Sequence, residues 1–77
     1  MASRSTMKFD YGDGVELIEP ADIARFGIMK GSVCGFRSID AVQALLTRLP
    51  EGTVLVLVEG ENGASVEIPS NRLKRIE

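Results

Sequence analysis

Hydrophobic and polar positions change their period along the chain, and each change marks a predicted element. Residues 7–20 have an extended pattern interrupted by the turn signal of residues 12–14, which predicts the first strand. In residues 20–27, Ile23 and Phe26 lie three positions apart. This spacing predicts one helical turn or an ordered loop, with both side chains closing one end of the core.

Residues 31–39 carry apolar side chains on both faces of an alternating pattern and predict a second strand. Gly35 interrupts the pattern where a strand bends or another backbone approaches closely. Cys34 lies in the middle of this strand, and the chain contains no histidine to activate its thiol. We therefore expect a small buried side chain there and not a nucleophile.

The clearest helical spacing falls within residues 38–50. Asp40 and Gln43 have the spacing of a capping box, which predicts a helix from Asp40 to Leu49. A helix this short is not stable alone in water, so we expect its apolar face to pack on the sheet. The sequence leaves open whether that face instead meets water or another subunit. The face consists of Val42, Leu45, Leu46 and Leu49.

An uninterrupted apolar run at residues 53–58 predicts a central strand that is buried on both sides. The Asn-Gly pair within residues 59–63 predicts a hairpin to a partner strand at residues 64–68. After a tight turn comes a short last strand, in which we expect Leu73 and Ile76 to point inward. These elements predict a mainly β fold with one inserted helix.

A chain of 77 residues can bury one small core and no second domain. We therefore predict a disordered tail at residues 1–6 and a single domain at residues 7–77. Burial in so small a domain only just offsets the entropy of ordering, which favours self-association. The longest apolar run is far too short to span a bilayer as a helix, and no signal peptide is found, so we expect a cytoplasmic protein without membrane contact.

The chain has one cysteine and no histidine or tryptophan, which excludes an internal disulfide, a Cys/His zinc site and histidine-dependent catalysis. The carboxylates show no spacing typical of an acid/base pair, and no glycine-rich loop leads from a strand into a helix. We therefore expect no catalytic residues, no metal site and no cofactor, and we expect that the protein is not an enzyme.

The net charge is −2, but the charges are unevenly distributed. Acidic residues fill the first loop region without a basic residue among them, and basic residues cluster at the C-terminus. These groups either pair with each other across the fold or offer two complementary surfaces to a partner or a second copy. The candidate binding residues are Tyr11, Asp13, Glu16, Asp22, Glu67, Arg72, Lys74 and Arg75.

The order of strand, Asn-Gly turn, strand, Ile-Pro-Ser-Asn at residues 68–71 and short strand resembles the end of a Src-homology-3 domain. This resemblance implies a five-stranded Src-homology-3-like barrel. Such domains bind proline-rich peptides on aromatic grooves, and only Tyr11, Pro69 and Asn71 match that surface here. Arg72 stands where the motif has its closing tyrosine.

A second resemblance covers residues 11–15, 31–36, 50–52, 65–68 and 73–77, which are similar to the plasmid-borne type II dihydrofolate reductases. Those small barrels assemble as tetramers around a shared pore, so the resemblance implies a barrel and an oligomer. Their Val-Gln-Ile-Tyr pore run reads Val-Glu-Ile-Pro at residues 66–69 here. A glutamate in that position would repel folate and the nicotinamide cofactor, both of which are anions.

The function predicted from these observations is a non-catalytic small-barrel binding module that acts through protein contact, including self-association into a homo-oligomer. One alternative is a small-molecule-binding or reductase-like oligomeric barrel. The other is a nucleic-acid-binding barrel in which Arg72, Lys74 and Arg75 contact phosphates. The net acidic chain with four aromatic residues disfavours that partner.

Overall fold

The computed structural model describes residues 9–76 of the chain. The first three strands alternate with two short helices, and two further strands follow. In chain order the elements are β1 (Gly14–Leu17), α1 (Pro20–Phe26), β2 (Lys30–Ser38), α2 (Ala41–Thr47), β3 (Val54–Gly60), β4 (Ser65–Pro69), a single 3-10 turn (Ser70–Arg72) and β5 (Leu73–Arg75). The tail predicted at residues 1–6 lies outside the described residues.

The five strands form one antiparallel sheet in the order β4-β3-β2-β1-β5. β4 and β5 are its two edges, so the sheet is open. The predicted mainly β fold is confirmed, and α1 is a second helix at the segment where the sequence predicts a helical turn or a loop. Closure of the sheet into a barrel stays a prediction.

The hydrophobic core lies against one face of this sheet. Val56 and Val58 of β3 are fully buried and share that face, because alternate residues of a strand point the same way. On the opposite face of β3, Leu55 is buried and Leu57 is half-buried. The core cluster consists of Phe9, Val15, Leu17, Ile28, Val33, Val56, Val58, Ile68 and Leu73.

β2 contains a bulge at Cys34. Val33 pairs with Val58 and Gly35 pairs with Leu57, so Cys34 is the extra residue between them. A bulge moves every following side chain to the other face of the strand. Phe36 therefore packs against the core, whereas Cys34 is exposed. The predicted irregularity at Gly35 is confirmed, and the expectation that Cys34 is buried is wrong.

α1 is limited by the residues at its two ends. Pro20 occupies its first turn, where the missing N–H needs no partner. Gly27 adopts a left-handed conformation with φ of 80°, and its N–H donates to the carbonyl of Ile23 at 2.9 Å. Ile23 and Phe26 are half-buried and pack against the core, as the sequence predicts.

The predicted capping box at the start of α2 is confirmed. The Gln43 N–H donates to the Asp40 carboxylate at 2.9 Å, and the Asp40 N–H donates to the Gln43 side-chain oxygen at 3.4 Å. Arg48 ends the helix in a left-handed conformation with φ of 62°, and its N–H donates to the carbonyl of Ala44. The helix is therefore shorter than the predicted segment from Asp40 to Leu49.

The apolar face of α2 does not pack on the sheet. Val42, Leu45 and Leu46 are 65%, 83% and 79% exposed, and no residue of α2 is buried. The expectation that this face docks on the sheet is therefore wrong. The connection is closed below the helix, where Ile39 is buried and exchanges backbone hydrogen bonds of 3.0 Å with Thr53 and Gly52. In this connection the buried apolar side chain is that of Ile39, whereas Leu45 and Leu46 of the helix are exposed.

The β3–β4 hairpin forms at the predicted Asn-Gly pair. Gly63 has a φ of 85°, and the Asn62 side-chain oxygen accepts a hydrogen bond from the Ala64 N–H at 3.0 Å. At the other end of the chain, Leu73 is buried in β5 as expected. Ile76 follows β5 and is 40% exposed, so its expected inward position is wrong.

Candidate functional site

Six of the eight candidate residues form three ion pairs within the chain. Glu16 and Lys74 lie directly opposite each other on β1 and β5, with 3.4 Å between the carboxylate and the ammonium nitrogen. The two other contacts join the same parts of the chain, which are the acidic first loop region and the basic C-terminal segment. They are Asp13 to Arg75 at 3.3 Å and Asp22 to Arg72 at 3.6 Å.

This pairing follows from antiparallel geometry. β5 runs back along β1, so residues late in the C-terminal segment meet residues early in the first strand. Exposed pairs of this kind contribute only about 0–1 kcal/mol each. Of the two interpretations of the charge pattern, the structure favours pairing across the fold, and their use by a partner stays a prediction.

Asp22 differs from the other acids because it is only 5% exposed. It lies in the first turn of α1, where a carboxylate is favoured by the helix dipole. Its Oδ2 atom has no hydrogen-bond partner within the described residues, and the nearest charge is Arg72 Nη1 at 3.6 Å. Arg72 is therefore held beside α1 by charge and not by a close hydrogen bond.

Tyr11 is the aromatic member of the predicted set, and its ring is 71% exposed. It packs edge-to-face on Phe36, with 5.1 Å between the ring centroids. Phe36 in turn packs against the core. The contact joins the Tyr11 ring to the sheet through Phe36 and leaves most of Tyr11 exposed.

Glu67 pairs with a residue that the sequence analysis missed. The guanidinium of Arg37 donates two hydrogen bonds to its carboxylate, at 2.5 and 2.8 Å. Arg37 lies opposite Leu55 and Glu67 lies opposite Leu57, so this pair crosses β3 between the two leucines. No local signal could have found the pair, because 30 residues separate its members and only the register of three strands brings them together.

The pair changes the titration of both groups. The hydrogen bonds from Arg37 hold the pKa of the Glu67 carboxyl below its ordinary value, with partial burial acting in the opposite direction. The same contact raises the pKa of the Arg37 guanidinium. The Glu67 carboxylate is therefore ionised and already accepts two hydrogen bonds from within the chain. Glu67 is also the residue at which the reductase resemblance implies a pore.

A cleft of about 480 Å³ opens beside this ion pair. Its walls come from α1, the 3-10 turn, the outer face of the sheet and the segment that ends α2. Three arginines line it: Arg25, Arg37 and Arg72. Leu49, Leu55 and Pro69 form an apolar part of the lining. Sequence reasoning selected Arg72 and Glu67 from this lining but not Arg25 or Arg37.

The exposed face of α2 is a second surface whose surroundings the sequence did not predict. α2 bears no charged residue, and its three exposed apolar side chains sit on one side of the helix. Charges flank it instead: Asp40 caps its start and Arg48 its end. The helical spacing identified this face correctly, but it gave no information about its neighbours.

Within residues 9–76, no group of three or more acidic or cysteine side chains is arranged to hold a metal ion. Neither α1 nor α2 has the length and apolar content that crossing a bilayer requires. Comparison of the chain with protein-family models, with curated proteins and with solved structures finds no match.

Proposed function

We propose that this chain is a non-catalytic binding module on a small barrel-like sheet, and that it self-associates through the exposed face of α2. The observation that supports this proposal is the exposure of Val42, Leu45 and Leu46 on one side of a single helix. Scattered apolar residues are normal on a protein surface, but neighbouring ones on one helical face are typical of an interaction site.

The stability of α2 supports the same conclusion. Isolated helices shorter than about 12–15 residues are marginal in water, and α2 has seven residues. Its capping box stabilises the first turn, but Val42, Leu45 and Leu46 remain mostly exposed. Contact with another molecule buries this apolar face and thereby stabilises the helix.

A second copy of the chain fits this face better than a charged partner. α2 itself is uncharged, and the charges at its two ends have opposite signs, Asp40 and Arg48. When two copies of the helix pack antiparallel about a two-fold axis, each Asp40 lies near the Arg48 of the other copy. A two-fold interface requires a surface that is complementary to itself, and this arrangement provides one.

The expected affinity is modest. Full burial of one Val or Leu side chain stabilises by about 1.5–3 kcal/mol, so burying these mostly exposed side chains on both copies contributes roughly 7–14 kcal/mol. Loss of translational and rotational freedom costs on the order of 4–15 kcal/mol. The two terms are similar, which predicts reversible association and not a permanent oligomer.

Light scattering coupled to gel filtration tests the proposal. We expect the mass of the wild-type protein to rise above the 8.3 kDa of one chain as its concentration increases through the micromolar range. The double substitution Leu45→Gln with Leu46→Gln keeps good helix formers and should give a monomer. Met29→Gln is the matched control, because Met29 is 54% exposed and lies outside α2.

A wild-type protein that stays monomeric throughout this range contradicts self-association. Equal loss of association in the Met29→Gln control contradicts the assignment to α2, because general surface hydrophobicity would then explain the result. Circular dichroism of each variant checks that the fold is unchanged, so that a change in mass reports on the interface.

A further inference from the structure

The cleft between α1, the 3-10 turn and the outer face of the sheet has a positive lining on a chain whose net charge is −2. We propose that this cleft binds an acidic peptide segment, in which a carboxylate side chain is followed by an apolar one. The proposal concerns a second surface and goes beyond the self-association proposed for α2.

The three arginines of the cleft differ in how far they are already neutralised. Arg37 already donates two hydrogen bonds to the carboxylate of Glu67. Arg72 has only the 3.6 Å contact of one nitrogen with Asp22, which is too long for a good hydrogen bond. Arg25 makes no ion pair with any described residue, and its guanidinium lies 5.2 Å from the ring centroid of Phe26.

Arg25 and Arg72 are therefore the groups that a carboxylate would meet. Charge-assisted hydrogen bonds from arginine to a carboxylate are among the stronger polar contacts in proteins, and the planar guanidinium can bind both oxygens at once. Two arginines with unused N–H groups on the same cleft provide more donors than one carboxylate can fill. The charge balance thus selects an anion.

The rest of the lining selects a peptide over a simple inorganic anion. Leu49, Leu55 and Pro69 give the cleft an apolar part that a phosphate or sulfate ion would leave unused. Asn71 also lines it, and its side-chain amide makes no hydrogen bond with the described residues, so it can bind a peptide group. A volume of about 480 Å³ accommodates a few residues of an extended chain.

The same lining disfavours a nucleic acid. Single-stranded nucleic acids bind through basic grooves in which aromatic rings stack on the bases. The cleft is lined by no aromatic side chain within the described residues, and the exposed Tyr11 ring contacts Phe36 instead. Arginines of the cleft could contact phosphates, but no aromatic ring of the lining could stack on the bases.

Fluorescence anisotropy with a labelled acetyl-Glu-Leu-Glu-Leu-Glu-amide peptide tests the proposal. We expect the wild-type protein to bind it more weakly as salt increases, and Arg25→Gln to bind it about tenfold more weakly, because a charge-assisted contact is lost. Lys30→Gln is the matched control, since it removes the same charge from an exposed position outside the cleft. Amide chemical shifts should change at Arg25, Asn71 and Arg72.

Four results would overturn the proposal, of which the first three are no binding of the peptide, equal binding of its Gln-for-Glu counterpart, and equal weakening by Lys30→Gln. Tighter binding of an oligo-deoxythymidine than of the peptide would overturn it as well. The same titration on the Leu45→Gln, Leu46→Gln variant should give unchanged affinity, because those side chains do not line the cleft. Failure of self-association is thereby distinguished from failure of peptide binding.

Discussion

Gly31 lies where the backbones of two paired strands leave no room for a side chain, which leads to a prediction about Gly31→Ala. Gly31 lies opposite Gly60 in the β2–β3 pair. A Cβ atom built on Gly31 would lie 2.2 Å from the carbonyl oxygen of Glu59 and 2.8 Å from a methyl group of Val58. The carbonyl oxygen of Glu59 is a backbone atom, so rotating a side chain cannot relieve this clash.

To restore normal contact, β2 and β3 must separate locally by roughly 1 Å, which lengthens the hydrogen bonds of the two longest strands. Overpacking in a well-packed interior costs typically 1–3 kcal/mol, and a backbone clash belongs at the upper end, so we expect a loss of about 3 kcal/mol. A chain of this length has a free energy of unfolding of about 4–12 kcal/mol. A large part of the free energy of unfolding therefore depends on the absence of a side chain at Gly31.

Urea unfolding monitored by circular dichroism measures the effect. With an m-value of about 1 kcal/mol/M, Gly31→Ala should lower the midpoint by about 3 M. Gly35→Ala is the matched control in the same strand, because its Cβ would lie 3.4–3.5 Å from side-chain atoms of Leu57 only. We expect that variant to stay within about 1 kcal/mol of wild type. Similar stabilities of the two variants would refute the reasoning, provided both are measured at one protein concentration.

Three further predictions concern single residues. Glu67→Gln removes the pair with Arg37, whose stabilisation is present above the unfolded-state pKa of a glutamate and lost as pH falls through the lowered folded-state pKa. In this variant the urea midpoint should therefore fall less steeply with decreasing pH than in the wild type. The difference should be small because both side chains are partly exposed. Identical plots of urea midpoint against pH for the two proteins would contradict this. Asp40→Ala removes the helix cap and should cost about 1 kcal/mol locally, seen as faster amide exchange at Ala44 without a change in global melting. Cys34 should react with a thiol reagent in the folded protein as fast as in a short peptide, and slow reaction would show that its side chain is covered.

Local signals in the sequence predicted local structure well. The capping box of Asp40 and Gln43 and the Asn62-Gly63 hairpin depend on neighbouring residues, and both formed as predicted. The central strand was predicted at residues 53–58 and lies at Val54–Gly60, because a β-branched apolar run suits a position between two other strands.

Errors arose where structure depends on register or on what surrounds an element. Alternation in β2 gave no face to the residue of the bulge, so Cys34 was expected to be buried although it is the exposed extra residue. Helical periodicity shows that a face is apolar but not what covers it, so the docking of Leu45 was wrong. The contact between Arg37 and Glu67 required the register of β2, β3 and β4, which no spacing along the chain contains.

The connection that carries α2 leaves the sheet at Ser38 and returns at Val54, and these two residues face each other as a cross-strand pair. The entropy of closing a loop increases only slowly with its length, so the sheet sets little restriction on what lies between them. Insertions, deletions or replacement of α2 between these anchor points are therefore compatible with the same scaffold, provided that the buried Ile39 is kept. Evolution or a protein engineer can exchange α2 here while the remaining sheet continues to fold.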